Sequence, residues 1–174
     1  MAGLALPTLS DVGTLGYAVY LLVAFATHAF VGYVLAATLT DARPAIGGVV
    51  GLAPDADFLF PAELGFPFLH RGITHTPVLA AACLLVGYAL DVDEGVLAAV
   101  GLAYCSHLCI DSLTPKGIMW LYPLSETAFS TAIGGHSALP TAVIWALFGG
   151  LYVTYRRLPA NTLTEALRRG SFAE

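Results

Sequence analysis

The stretch from about Leu15 to Leu39 carries no Asp, Glu, Lys or Arg, and this constrains the chain more than any other feature. A helix needs roughly 20 apolar residues to cross a bilayer, so the run is long enough to span one. The whole chain follows suit: of 174 residues, 57% are hydrophobic and 11% charged, against about 45–50% apolar for a soluble domain. The expected fold is all-α, a multi-pass transmembrane helical bundle of about four spans plus a short re-entrant or interfacial helix.

The first run stops at Thr40-Asp41-Ala42-Arg43-Pro44. Ala45 to Leu52 is apolar but too short to span, which makes it the re-entrant or interfacial helix. Phe58 to Leu69, broken by Pro61 and Pro67, reads as a partly apolar loop on the membrane. Thr76-Pro77 is a hydroxyl cap followed by proline, a helix start, and the second span runs to about Leu90. Asp91-Val92-Asp93-Glu94 turns into a third span, about Gly95 to Leu113. Trp120 and Tyr122 mark an interfacial loop, and the last span runs from about Ala138 to Tyr155. Residues 1–158 are thus one membrane domain, with a tail at 159–174 holding a short helix from Leu163 to Arg169. Met1 to Tyr17 has neither a basic region nor a clear cleavage site, so no signal peptide is expected.

Arg156, Arg157, Arg168 and Arg169 place the tail in the cytoplasm by the positive-inside rule. With four spans, the N-terminus and the Asp91–Glu94 turn share that side. The loops Asp41–His75 and Thr114–His136 then lie on the outer face of the plasma membrane. Net charge is −5 and Lys116 is the only lysine, so there is no basic face for nucleic acid. Cys83, Cys105 and Cys109 sit in apolar runs, read as small buried residues; their number and spacing argue against a disulfide framework.

In so apolar a chain each polar group needs a reason. His28 lies in the first span, where an imidazole is costly without a partner, and Gly32 one turn on lets another helix approach. Asp55 and Asp57 can be aimed by one loop at one cation. His70 and His75 flank Arg71 and Gly72, the glycine allowing the turn that joins them. His107 and Asp111 share a helix face one turn apart, with Cys105 and Cys109 on the other side. The four-span topology gathers Asp55, Asp57, His70, His75, Asp111 and His136 at one end, with His107 a turn below.

Imidazole and carboxylate suit zinc, iron or manganese, and this set could hold one or two divalent ions, zinc foremost. Paired ions suit phosphoryl chemistry. Arg71 could grip a phosphate by its fork, Lys116 could add a point charge, and His136 is a third substrate-side candidate. Thr74 and Ser106 stand beside histidines as orienting partners. Each part alone has a plainer explanation, such as a solvated Asp-x-Asp loop or a buried His–Asp hydrogen bond; the joint occurrence is the specific signal.

Taken in order, His28, Gly51-Leu52-Ala53-Pro54-Asp55-Ala56-Asp57, His70-Arg71-Gly72-Ile73-Thr74-His75, Ser106-His107-Leu108-Cys109-Ile110-Asp111 and Leu113-Thr114-Pro115-Lys116-Gly117 resemble the YdjM-like family. That family comprises predicted inner-membrane, metal-dependent hydrolases, and is itself distantly similar to zinc-dependent phospholipase C. The resemblance spans roughly His28 to Ser125. It implies ligand roles for His28, Asp55, His70, His75, His107 and Asp111, with Asp57 as ligand or base.

The expected function is therefore a membrane-embedded metal-dependent hydrolase. It would cleave a phosphoester of a lipid or lipid-linked substrate with a metal-activated water, Asp57 or Asp55 taking the proton and Arg71 holding phosphate. The alternative is a divalent metal transporter, or a metal-binding membrane protein without hydrolase activity. A bis-histidine haem protein through His28 and His107 would leave the aspartates without a purpose.

Overall fold

A computed structural model describes residues 9–131 and 133–157; residues 1–8 and the 159–174 tail with its expected helix lie outside the described residues. The helices are α1 (Leu9–Leu39), α2 (Pro44–Val50), α3 (Pro77–Ala89), α4 (Glu94–Ser112) and α5 (Ala138–Arg157). Short 3₁₀ helices at Pro54–Leu59 and Ile73–His75 bracket the irregular segment between α2 and α3. Among the described residues the only extended pairing is a lone bridge between Ile118 and Phe129.

Three stretches are long and apolar enough to cross a membrane: Gly13–Leu39, Glu94–Ser112 and Ala138–Arg157. The fourth expected span is α3, which has 13 residues and so a length of roughly 20 Å, short of the hydrocarbon thickness. Its start is the expected one, with the Thr76 hydroxyl accepting the Leu79 N–H at 3.3 Å and proline in the first turn. Asp93 caps α4 in the same way, accepting from Val96 N–H at 3.2 Å. Each cap answers an N–H that the first helical turn leaves unpaired.

The topology differs from the sequence expectation in one respect. Tyr20 meets His136, Phe30 meets Trp145 and Tyr33 meets Tyr152, so α1 and α5 run parallel and begin at the same end. The Asp41–Ala42 backbone lies against Gly95 at the start of α4, so the turn after α1 sits at the opposite end, beside the Asp91–Asp93 turn and Arg156–Arg157. The N-terminal side of α1 is thus at the end of the histidine-bearing loops, and Asp41 and Arg43 are not. The reason is α2, which folds back along α1 and returns the chain towards the level of His28.

That return requires two backbones to touch. A Cβ on Gly32 would stand 2.2 Å from the Gly47 carbonyl oxygen, and one on Gly47 would stand 2.1 Å from that of Gly32. Only glycine at both positions allows the approach. Around this contact Val31, Val34, Ala36, Ala99 and Ala103 are wholly buried, small side chains letting α1, α2 and α4 close together. By contrast α5 buries only Thr141 and is fastened to α1 by Trp145 Nε1 donating to Thr27 Oγ1 at 2.9 Å. The cysteines depart from expectation: Cys83, Cys105 and Cys109 are exposed on the outside of the bundle, where lipid can take the place of a protein core.

Gly47→Leu should separate α1 from α2 and destabilise the protein by at least about 1–3 kcal/mol, the usual cost of forced overpacking. Gly150→Ala, where a Cβ meets nothing within 4 Å, should not lower the melting temperature in detergent, alanine being the better helix former.

Candidate metal centre

All five histidines of the chain gather around Asp55, Asp57 and Asp111. His28 stacks on His107 with ring centroids 3.7 Å apart and meets His136 edge-on at 4.9 Å. His75 stands 5.1 Å from His70 and 5.0 Å from His107. The elements deliver them from five places: α1 gives His28, the segment after α2 gives Asp55 and Asp57, the turn before α3 gives His70 and His75, the last turns of α4 give His107 and Asp111, and the loop before α5 gives His136.

Two of the imidazoles have their tautomers set by what lies behind them. His107 Nδ1 donates to the Gly51 carbonyl at 2.7 Å, and His75 Nδ1 donates to Asp57 Oδ2 at 3.0 Å. Each ring therefore turns the lone pair of Nε2 forward, and the two Nε2 atoms are 3.2 Å apart. Two neutral rings so placed need a shared proton or a metal ion between their Nε2 atoms. Asp111 Oδ2 is 3.4 Å from His75 Nε2 and 3.6 Å from His107 Nε2, while Asp55 Oδ1 is 3.4 and 3.8 Å from the same atoms. An ion with tetrahedral bonds of about 2.0–2.1 Å spaces its ligand atoms roughly 3.3–3.4 Å apart. His75, His107 and Asp111, with Asp55 beside them, fit that spacing.

The other Asp111 oxygen, Oδ1, faces a second group. His136 Nε2 is 3.0 Å away, His28 Nε2 3.4 Å and Arg71 Nη2 3.1 Å. His28, Asp111 and His136 form a further set that could hold a metal ion, as do Asp55 with His28 and His107, and Asp55 with His70 and His75. His28 Nδ1 and His136 Nδ1 are buried without a hydrogen-bond partner among the described residues.

Asp57 differs from the expectation of a ligand or base. Its oxygens are taken by His70 Nδ1 at 3.0 Å, His75 Nδ1, the Thr74 hydroxyl at 2.8 Å and the Arg71 backbone N–H at 3.1 Å. Burial pushes this carboxyl up, but the hydrogen bonds from His70, His75 and Thr74 outweigh it, and Asp57 lies well below the ordinary carboxylate range. The same contest leaves Asp55 lowered, burial opposed by His75 and His107. For His75, burial acts downward and the bonds to Asp55 and Asp57 prevail, raising it. Asp57 thus stands behind the histidines and orients them, as outer carboxylates do in metal sites.

Arg71 also departs from a free phosphate clamp. Its Nη1 donates to the Asp111 carbonyl at 3.3 Å, to the Thr114 hydroxyl and to the Gly117 carbonyl at 3.3 Å, so the guanidinium ties the His70–His75 turn to the end of α4. Nε alone is left buried and unpartnered. The residue sits at φ +68°, a left-handed conformation costly for a side chain of this kind and tolerated where surroundings over-determine it. Gly72 lets the turn close: a Cβ there would strike the Pro67 carbonyl oxygen at 1.9 Å. Lys116 lies on the cavity wall, its ammonium lowered by burial and by Arg71.

Thr74 orients a histidine as expected, whereas Ser106 turns back to the Ala103 carbonyl at 2.8 Å. The sequence reading did not include the Gly51 carbonyl behind His107, or Tyr104, whose hydroxyl donates to the Thr74 carbonyl. Tyr104 stands three residues before His107, on nearly the same face of α4, and that spacing was the available signal.

The fold and the centre define a helical membrane protein with a buried histidine–aspartate cluster able to bind a metal ion. A family model described as YdjM inner membrane protein matches residues 22–167, and the chain belongs to that family. The inner membrane protein YdjM of Escherichia coli strain K12 is 42% identical over 62 residues, 32% of this chain and 31% of that protein. The inner membrane protein YbcI of the same organism is 33% identical over 95 residues, 48% of this chain and 54% of its own length. The chain thus matches about a third of one relative's length and about half of the other's. No solved structure matches it.

If Asp57 orients and does not ligate, Asp57→Asn should weaken divalent-metal binding about 10–100-fold without abolishing it. Titration calorimetry on purified protein reads this directly, with His75→Ala expected to lose more than Asp57→Asn.

Proposed function

We propose that this protein is a membrane-embedded, metal-dependent hydrolase, with zinc as its ion and a phosphoester of a lipid or lipid-linked molecule as its substrate. The observation that carries the reading is the convergence of the His75 and His107 lone pairs with the Asp111 and Asp55 carboxylates. They meet beside a cavity of about 350 Å³ that Arg71, Lys116 and His136 also line. A divalent ion bound there supplies the chemistry of water activation and of charge neutralisation on phosphoryl oxygens.

The chain's own residues divide the remaining work. Asp55, which lines the cavity, accepts the proton of the attacking water, since both Asp57 oxygens are already engaged. Lys116 meets a phosphate oxygen as a point charge, and Arg71 Nε offers one further N–H. Asp57, Thr74 and the Gly51 carbonyl keep the imidazoles in the ligating tautomer.

Ion transport is the rival, and depth favours it: His28 is eleven residues from Leu39, roughly 16 Å along the helix, so the centre is well inside the bundle. Transport also needs a way to the arginine-bearing end. There the Gly32–Gly47 contact and the fully buried Val31, Val34, Ala36, Ala99 and Ala103 fill the space.

We place the centre's opening on the outer face. Of the described basic residues, Arg43, Arg156 and Arg157 lie at the opposite end, which supports a cytoplasmic assignment for that end. Arg43 stands at the same end as Arg156 and Arg157.

Purified protein should retain stoichiometric metal and hydrolyse members of a phosphomonoester and phosphodiester panel. His107→Ala and Asp111→Ala should each lose metal and at least about a hundredfold in kcat/KM. Wild-type protein without metal, or variants that keep it, would remove the reading; metal flux into proteoliposomes without ester cleavage would replace it with transport.

A further inference from the structure

The helices of this bundle do not reach one common height, and α1 serves as the ruler. Tyr20 and Phe25 are nineteen and fourteen residues from Leu39, roughly 28 and 21 Å along the helix. Tyr20 therefore stands near the full hydrocarbon thickness of a bilayer and Phe25 well below it. Phe58 meets Phe25 edge-on at 5.7 Å, and His70 lies on Phe58 at 4.1 Å, so the irregular segment after α2 begins beneath that boundary. The segment leads into α3, whose inner end packs on the start of α4 through Gly87 and Leu97. From there its 13 residues rise only roughly 20 Å, leaving roughly 10 Å of an ordinary bilayer unspanned.

Two loops occupy that upper level, joined by Phe66 edge-on against Tyr122 at 5.7 Å. Leu59, Leu64, Leu121, Leu124 and Phe129 are each more than half exposed on them. Water is a poor neighbour for so apolar a surface. Hydrocarbon is a poor neighbour for its backbone, because irregular chain facing lipid leaves amide groups unpaired. The exposed carboxylates of Glu63 and Glu126 also belong among headgroups rather than acyl chains. A headgroup boundary brought down to the loops meets all three demands.

We propose that the leaflet at the loop end thins against α3, and that the two loops form an apolar crown seated in it. Leu59 and Leu124 dip into the upper acyl chains while the backbone and both glutamates stay at the headgroups. A hydrophobic stretch shorter than the bilayer is accommodated in this way. Phe58 makes the crown continuous with the lipid-facing surface of α1, where Leu22 is exposed. The partner is the bilayer itself, and the assignment stands independently of what the metal centre does.

The experiment uses full-length protein in nanodiscs, with Cys83→Ala, Cys105→Ala and Cys109→Ala as background and one bimane-labelled cysteine at a time. Quenchers are iodide in water and lipids bearing a nitroxide near the headgroup or at the chain end. Leu59→Cys and Leu124→Cys should be quenched at least about twofold more by the headgroup-proximal nitroxide than by iodide. Val78→Cys on α3 and Ala146→Cys on α5 each lie eleven residues from the inner end of their helix, roughly 17 Å. Val78→Cys should respond more to the headgroup-proximal nitroxide, and Ala146→Cys more to the chain-end one. Wild-type protein, needing no substitution, should cross-link within residues 58–69 and 119–129 to a lipid carrying a diazirine on its acyl chain. Dominant iodide quenching at Leu59→Cys and Leu124→Cys puts the crown in water and overturns the proposal. Protection from every quencher there, with no cross-link in the wild type, means that protein covers the crown and overturns it equally. Val78→Cys behaving as Ala146→Cys does means a bilayer of full thickness and removes the thinning.

Discussion

The Asp111 carboxylate is the charge on which the bundle depends. It is 1% exposed in a protein whose surroundings are largely lipid, where an isolated anion would cost far more than a helix contact returns. Every part of the chain that reaches the centre supplies something towards it. Arg71 pairs with it at 3.1 Å, His136 at 3.0 Å, and His28, His75 and His107 close round its two oxygens. Removing one partner leaves the rest to bear a charge they were placed to share.

The geometry that permits this is made by atoms that are missing. Because Gly32 and Gly47 have no side chains, α2 lies directly on α1, and its end carries the Gly51 carbonyl to His107. Asp55 follows immediately and faces His75. The buried alanines of α1 and α4 extend the same economy of volume. Polar precision at the centre thus rests on apolar thinness just beneath it.

Much of the centre could be read from residue type and order. Histidines and aspartates in a chain this poor in charge had few other uses, and the i,i+4 spacing of His107 and Asp111 put them on one face. The Thr76-Pro77 start and the short helix after Pro44 followed from local chemistry alone. What spacing cannot reveal is which way a chain turns after a helix, and the return of α2 moved Asp41 and Arg43 to the other end. Nor does it separate a ligand from the residue behind a ligand. Asp55 and Asp57 are equivalent in sequence, yet one faces the cavity and the other holds His70 and His75 from the back. Arg71 reads as a free cation until Thr114, Gly117 and Asp111 are seen to occupy it.

The order in which these groups enter the membrane has its own logic. Synthesis runs from the N-terminus, so the His28 helix, which can enter as a neutral imidazole, precedes every partner. Asp55, Arg71 and His75 are made next, and Asp111 comes only after them, on α4. The most expensive ion in the bundle is therefore made after Arg71, the guanidinium that pairs with it, and after the imidazoles of His28, His75 and His107 that close round it. Of its side-chain partners His136 comes later, just ahead of a helix that packs on α1 and on little else, so the final span brings the last of them.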